Sequence, residues 1–234
     1  MQSHQLDHAN GSGGVPSEVI SRYLEAIYYM RAEGEIVTNA RLAEWLGVSR
    51  PTVTAGLRRM ARDGLLRTDG GKEVALTPEG DGKASAIVRR HRIMERWLTD
   101  ALGLDWIVAD EEAARLEHAI SEVVEERLYD ALGRPSSCPH GNPIPGHSEP
   151  VAGERRLSGF SPGRATVTRI SEVAEREAPS LLQYLHERNL VPGTQLEILE
   201  SDQVGRTIRI QAGKREVTLS WETAAKIWVL PQAD

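Results

Sequence analysis

The sequence predicts a multidomain, mainly α-helical chain in which a winged helix-turn-helix and a helical dimerisation domain precede a small C-terminal β-barrel. Three observations support this fold class. Apolar residues recur at helical spacing through the first half of the chain, interrupted by a turn pattern and a hairpin pattern. Proline and glycine then cluster over residues 133–163. Beyond that cluster, the apolar pattern becomes that of short strands.

Length and composition exclude several classes of protein. The 234 residues suffice for two or three domains, because single domains usually run to ~100–200 residues. No run of about 18 apolar residues occurs, so we expect no transmembrane helix. Residues 1–16 have neither the basic start nor the apolar stretch of a secretory signal, which predicts a disordered leader and a cytoplasmic protein. The single cysteine, Cys138, excludes an internal disulfide framework.

Charge is distributed unevenly along the chain. The net charge of −6 comes from 34 acidic and 28 basic side chains and argues against general nucleic-acid binding. Residues 41–72, however, carry seven basic side chains against three acidic ones, whereas residues 110–130 carry eight acidic against two basic. A basic head and an acidic middle indicate DNA binding at one end and cation binding between.

The first elements have clear helix signals. Residues 17–31 repeat apolar side chains at helical spacing and predict a helix with one buried face. Thr38 is placed to cap a short second helix, Gly47 ends it, and Ser49 with Pro51 opens a third helix. This spacing is typical of a helix-turn-helix, in which glycine makes the turn between two closely packed helices.

A hairpin and a long helix follow. The strands "LLRT" and "EVALT" are joined through residues 69–72, which predicts a wing and completes a winged helix-turn-helix domain at residues 17–83. Thr77-Pro78-Glu79 then opens a helix whose apolar stripe is too broad for a lone surface helix. Such helices commonly pair with a second subunit. We therefore predict a helical domain at residues 84–150 that includes an acidic helical segment at 110–128.

The last part of the chain is predicted to be a separate β domain. Residues 151–163 are interpreted as an interdomain linker, because the stretch is too irregular for regular structure. Residues 164–234 contain five short strand patterns, with a short helix, "APSLLQYLHERNL", inserted after the first. Several short strands with turn signals predict a small, partly open β-barrel.

These segments together resemble a known family. A winged helix, a helix with "RRHRIMERWL", the segment "DEEAARLEHAISEVVEERL", the loop "CPHGNPIPG" and a β domain follow one another. In this order they resemble the diphtheria-toxin-repressor family of iron- and manganese-dependent bacterial repressors, over residues 17–234. The resemblance implies an SH3-like (FeoA-like) C-terminal domain and a homodimer. It further implies a metal-uptake repressor that binds palindromic operator DNA when Mn(II), or alternatively Fe(II), is bound.

The resemblance also implies two metal sites between the first two domains. The positions that match the first site are His91, Glu95, Asp110, Glu172 and Glu175. Independently of the family, His91 and Glu95 are four residues apart on one helix face. Four carboxylates with one imidazole suit Mn(II) or Fe(II) better than a thiolate-seeking metal.

The second implied site is altered in this chain. Glu117 and His118 match the family, and Glu25 matches a glutamate of its manganese branch, but Arg22 and Ala114 stand where two donors are usual. Either the remaining three residues still bind metal, or the Arg22 guanidinium takes the place of the cation. For the second case we hypothesise a bidentate pair between Arg22 and Glu117.

The remaining candidate residues concern DNA and an anion. The helix that begins after Ser49 would present its first turns to the major groove, with arginines and the wing toward phosphates. The predicted DNA contacts are Ser49, Arg50, Pro51, Thr52, Thr54, Arg59, Arg62 and Lys72. Arg92 and Asn142 match positions that bind an anion in some relatives.

Three alternative interpretations compete with this one. The changes at residues 22 and 114 are compatible with a metal-independent winged-helix regulator whose metal site is degenerate. An enzyme is disfavoured, because no nucleophile-base pair and no glycine-rich phosphate loop is visible. A zinc cluster of Cys138, His140 and His147 is disfavoured by the Pro/Gly-rich surroundings and the lack of a second cysteine.

Overall fold

The structure is a computed structural model that describes residues 17–67, 73–177 and 179–232, with side chains described except at 175–177 and 179. The N-terminal unit consists of three helices and a two-stranded antiparallel hairpin. These elements are α1 (Glu18–Ala32), α2 (Asn39–Leu46), α3 (Arg50–Arg62), β1 (Leu66–Arg67) and β2 (Ala75–Leu76). The predicted leader at 1–16 and the wing residue Lys72 lie outside the described residues.

Local capping explains the helix-turn-helix. The Thr38 hydroxyl accepts a hydrogen bond from the Arg41 backbone N–H at the start of α2, and the Ser49 hydroxyl accepts one from Thr52 at the start of α3. Gly47 ends α2 with a φ of 65°, a left-handed conformation that favours glycine. The predicted order of helix, turn, helix and hairpin is confirmed.

The helix α3 packs on α2 and approaches α1 at Gly56. Val53, Leu57 and Met60 of α3 are buried in one apolar core with residues of α1, α2 and the start of α4. Gly56 allows this approach, because a Cβ atom there would lie 2.9 Å from the Tyr23 ring. Burial of this continuous apolar face fixes the orientation of α3 relative to α1.

The middle unit is formed by α4 (Pro78–Leu102), α5 (Trp106–Leu116) and α6 (Glu122–Ala131). The segment 110–128 is therefore not one helix, contrary to the sequence interpretation. The α5 helix ends at Leu116, and the Ser121 hydroxyl accepts from the Val124 backbone N–H to begin α6. Glu117 and His118 lie in the turn between the two helices.

Apolar side chains remain exposed on the middle unit. They are Leu102, Val108, Leu116, Val123 and Val124. These side chains are available for the subunit contact that the sequence predicts for this unit.

The C-terminal unit is an antiparallel sheet with inserted helices. Its strands are β3 (Arg155–Arg156), β4 (Gly163–Ile170), β5 (Gln195–Asp202), β6 (Thr207–Ala212), β7 (Arg215–Ser220) and β8 (Ile227–Pro231), in the order β3-β8-β4-β5-β6-β7. Its helices are α7 (Glu172–Glu177), α8 (Pro179–Glu187) and α9 (Trp221–Ala224). The five predicted strands correspond to β4 to β8.

The predicted barrel and linker need correction. Within the described residues, the edge strands β3 and β7 do not pair with each other, so the sheet is not a closed barrel. The strand β3 lies inside the predicted linker at 151–163 and is only two residues long. A substantial antiparallel sheet also means that "mainly α" describes only the first two units.

The C-terminal unit contacts the N-terminal one directly. Val173 of α7 is fully buried in the same apolar core as α1 and α2. Among the described helices we find none with the length and apolar character that a membrane span needs.

Candidate metal centre and DNA-binding face

The helix α4 places His91 between two carboxylates. His91 Nδ1 lies 2.8 Å from Glu117 Oε2, and His91 Nε2 lies 3.1 Å from Asp110 Oδ1. Burial lowers the pKa of His91, but hydrogen bonds and charges from Asp110 and Glu117 outweigh it and hold the pKa well above its usual value. The two carboxylates therefore favour the protonated form of the imidazole.

A small cavity adjoins His91. Its volume is about 80 Å³, and it is lined by Arg22, Glu25, Tyr29, Trp45, Leu46, His91, Asp110, Ala114 and Glu172. Donor atoms of Glu25, His91 and Glu117 all lie within 4.8 Å of one another. Carboxylate oxygens with one imidazole nitrogen are donors that suit Mn(II) or Fe(II). The residues present therefore fit a divalent cation.

Glu117 and His118, the matched pair of the altered site, take part in the same cluster. Glu117 Oε1 lies 3.3 Å from His118 Nε2, while its other oxygen faces His91. Arg22 is exposed at the cavity, and Ala114 also lines it. In the described part of the chain, the hypothesised Arg22–Glu117 pair is not formed, and the two Glu117 oxygens face His91 and His118 instead.

Glu95 lies in a different group of donors from His91. Its carboxylate, the Cys138 thiol and the His140 imidazole offer atoms within 4.8 Å of one another, and all three residues are buried. His140 Nδ1 is 2.7 Å from Glu95 Oε1. His147 instead stacks on Tyr129, with the ring centroids 4.1 Å apart.

The rise of α4 separates the partners of the two residues. Residues four apart on an α-helix share one face but lie about 6 Å apart along its axis. His91 therefore meets Asp110 and Glu117, while Glu95 meets His140 of the following loop. A cysteine and a histidine two residues apart were the available sequence signal for this second group.

Glu172 and Arg92 form a buried bidentate ion pair. Arg92 Nε donates to Glu172 Oε1 at 2.7 Å, and Arg92 Nη2 donates to Oε2 at 2.8 Å. Burial lowers the pKa of Arg92, but the Glu172 charge and hydrogen bonds outweigh it and raise the pKa further above its usual value. The guanidinium predicted to bind an anion thus binds a carboxylate of the C-terminal unit.

Asn142, the other predicted anion ligand, also has protein partners. Its side chain accepts from Arg169 Nη1 at 3.3 Å and donates to the Ile170 carbonyl at 2.9 Å. The side chain of Glu175, which sequence resemblance placed in the first metal site, is not among those described.

The predicted DNA-binding residues lie at the exposed start and outer face of α3. Ser49, Arg50, Pro51, Thr52, Arg59 and Arg62 are exposed. A groove of about 1380 Å³ runs between α2, α3 and the wing, and Arg50, Arg58 and Arg62 line it. Thr54 is half-buried and accepts a hydrogen bond from Asn39 Nδ2 at 2.7 Å.

A winged helix-turn-helix joined to a buried carboxylate-histidine cluster defines the class of metal-responsive DNA-binding regulators. Family comparison agrees unit by unit. Residues 17–74 match the iron-dependent repressor N-terminal DNA-binding domain, and residues 77–146 match the iron-dependent repressor metal-binding and dimerisation domain. Residues 155–231 match the FeoA domain.

Similar proteins span the whole arrangement. The iron-dependent repressor IdeR of Mycobacterium leprae is 37% identical over 88% of this chain and 94% of its own length. The diphtheria toxin repressor of Corynebacterium diphtheriae is 37% identical over 77% of this chain and 84% of its own length. A solved manganese-dependent transcriptional repressor in complex with manganese is 32% identical, with a TM-score of 0.82, over 91% of this chain and 100% of its own.

The chain belongs to the diphtheria-toxin-repressor family, as its sequence predicted. These relatives are metal-dependent transcriptional repressors rather than enzymes, which favours the metal-dependent interpretation over the metal-independent one.

Proposed function

We propose that this chain is a cytoplasmic repressor of metal-uptake genes that binds palindromic operator DNA as a homodimer when Mn(II), or alternatively Fe(II), is bound. One observation carries the proposal. Carboxylates and an imidazole from all three units meet at one small cavity: Glu25 from α1, His91 and Asp110 from α4 and α5, and Glu172 from α7. Repression when metal is plentiful would close a homeostatic loop.

The residues proposed to hold the cation are Glu25, His91, Asp110, Glu117, His118 and Glu172. A bound divalent cation would supply the positive charge that lets carboxylates from separate segments approach. Without it, the positive charge near Glu25, Asp110 and Glu117 comes from protonated His91 and from the Arg22 guanidinium at the cavity. Release of the His91 proton leaves an imidazole nitrogen with a lone pair that can bind the metal.

These residues would couple metal binding to DNA binding through α1. Glu25 belongs to α1, which shares one apolar core with α2 and α3, whereas Asp110 belongs to the dimerisation unit. Drawing the two carboxylates to a common point fixes α1 relative to the dimer partner. The arrangement with metal bound then favours the spacing of two recognition helices that matches two half-sites.

We further propose a second cation site at Glu95, Cys138 and His140. Its thiol gives it softer chemistry than the first cavity. Because the site ties α4 to the loop that leads to the C-terminal unit, we assign it a role in fixing that unit.

The proposed DNA contacts are the exposed residues at the start of α3 and its outer arginines. Ser49, Arg50, Pro51, Thr52 and Thr54 would lie at the major groove, with Arg59, Arg62 and Lys72 at phosphates. The Thr54 hydroxyl already accepts a hydrogen bond from Asn39, so Thr54 would approach the DNA less closely than the exposed residues.

Footprinting on genomic fragments with Mn(II), with Fe(II) and with a chelator tests the proposal. Protected palindromes should appear with metal and vanish with chelator, and Asp110→Asn with Glu117→Gln should abolish the difference. Metal-independent protection by the parent protein would refute the proposed function.

A further inference from the structure

A buried ion network joins the N-terminal and C-terminal units away from the metal cavity. Glu33 follows the last residue of α1, and Arg169 lies near the end of β4. Arg169 Nη1 donates to Glu33 Oε1 at 2.6 Å, and the Trp228 indole N–H donates to Glu33 Oε2 at 3.0 Å. The side chains of Arg169 and Glu33 are 6% and 4% exposed.

The same arginine is anchored within its own unit. Arg169 Nε donates to Glu154 Oε1 at 2.7 Å, and its guanidinium carbon lies 4.0 Å from the centre of the Trp228 ring. Arg156 Nη2 donates to the Glu33 carbonyl at 2.7 Å. Two carboxylates, Glu33 and Glu154, thus face two guanidiniums, and the network is neutral.

Removal of one member would leave charge buried without compensation. Loss of the Arg169 guanidinium would leave two buried carboxylates, an arrangement that is strongly unfavourable in a protein interior. Since Glu33 and Glu154 belong to different units, separation of the units would return both carboxylates to water. The network therefore favours the arrangement in which the two units are in contact.

Both segments that the network joins lead along the chain to the metal cavity. Glu33 follows Glu25 by eight residues, about 12 Å along the α1 axis. Arg169 precedes Glu172 by three residues, at the junction of β4 and α7. Within the described residues, the cavity lining includes neither Glu33 nor Arg169. The network can thus fix Glu172 without touching the cation.

We propose that Glu33 and Arg169 form a metal-independent latch whose role is to position Glu172 at the cavity before metal binds. The inference rests on the proposed function. With the latch closed, α7 keeps the Glu172 carboxylate beside Arg92 at the cavity. A cation that takes Glu172 over from Arg92 then does not have to order a whole domain. With the latch open, that ordering would reduce metal affinity.

Solution scattering of the full-length metal-free protein tests the latch itself. Parent and Arg169→Met are compared in chelator, with Arg209→Met as matched control, because Arg209 forms only exposed ion pairs with Glu200 and Glu216 on the same sheet. We expect a larger radius of gyration for Arg169→Met alone, with recovery in Arg169→Lys. Scattering of Arg169→Met that equals that of the parent would overturn the latch.

Mn(II) calorimetry on the same variants tests the positioning role. We expect Arg169→Met to weaken Mn(II) binding at least tenfold, and Glu172→Ala to add little further loss in that background. Full additivity of the two substitutions, or unchanged binding by Arg169→Met, would overturn the role. Failure of the parent to bind Mn(II) would instead overturn the proposed function, and the scattering would still decide for or against the latch.

Discussion

At the scale of single residues, His91 explains how the cavity is stabilised without metal. Its two ring nitrogens face Asp110 and Glu117, and the two carboxylates raise its pKa despite burial. The imidazolium thus occupies the electrostatic role that a cation takes when bound. Proton and metal therefore compete for the same group of carboxylates.

This arrangement predicts the pH dependence of metal-free stability. Because the folded-state pKa of His91 is raised, its stabilising contribution is complete below the unfolded pKa, near 6.5, and is lost as pH rises through the folded pKa. In chelator, the unfolding temperature of the parent should therefore fall as the pH rises from about 6.5 through the folded-state pKa of His91. His91→Gln should remove this component, while His147→Gln, at an exposed site, should retain it. Parallel curves for parent and His91→Gln would contradict the assignment.

Cys138 gives the second proposed site a selectivity that can be measured. Cys138→Ser replaces a thiol with a hydroxyl of similar size next to Glu95 and His140. Thiolates favour softer cations, so Zn(II) affinity should fall by more than Mn(II) affinity. Competition titrations with a chromophoric chelator measure both. Unchanged affinity for both metals would show that the thiol is not a ligand.

The sequence identified most of these residues but not their grouping. Glu25, His91, Asp110 and Glu172 were predicted as metal ligands, and the structure brings them to one cavity. The grouping of Glu95 with Cys138 and His140 depends on how a proline-rich loop approaches α4. Spacing along the chain does not encode that approach.

At the scale of elements, local capping made the N-terminal unit predictable. Thr38, Gly47 and Ser49 each act on backbone groups within a few residues, so their effect can be read from the sequence. The break between α5 and α6 was missed, because acidic residues continue across it. Ser121 was the available signal, as an N-cap residue at the start of α6.

Two glycines near the start of α4 provide a matched pair of substitutions. A Cβ at Gly80 would lie 2.0 Å from the Leu65 carbonyl oxygen, whereas one at Gly82 would meet nothing within 4 Å. Gly80→Ala should destabilise the protein by about 1–3 kcal/mol through overpacking. Gly82→Ala should stabilise it by about 0.5–1 kcal/mol through helix propensity. Denaturant unfolding measures both, and equal effects would contradict the close packing of α4 on the wing.

At the scale of the whole molecule, the order of the three units was predictable and their attachment was not. Glu33 and Arg169 are 136 residues apart, and neither has a local pattern that announces its partner. The burial of Val173 in the N-terminal core is likewise a contact between distant parts of the chain, and no local sequence pattern predicts it. These contacts make the C-terminal unit an integral part of the regulator.

The central claim is that metal and operator binding are coupled through one cavity shared by three units. Titration of Mn(II) with and without a footprint-derived operator fragment, together with operator titration with and without Mn(II), tests it most directly. We expect Mn(II) to raise operator affinity, and the operator to raise Mn(II) affinity, by the same factor of about 5- to 150-fold. In the double variant Asp110→Asn with Glu117→Gln, neither ligand should change the affinity for the other. Operator affinity that does not change with Mn(II) would contradict the account.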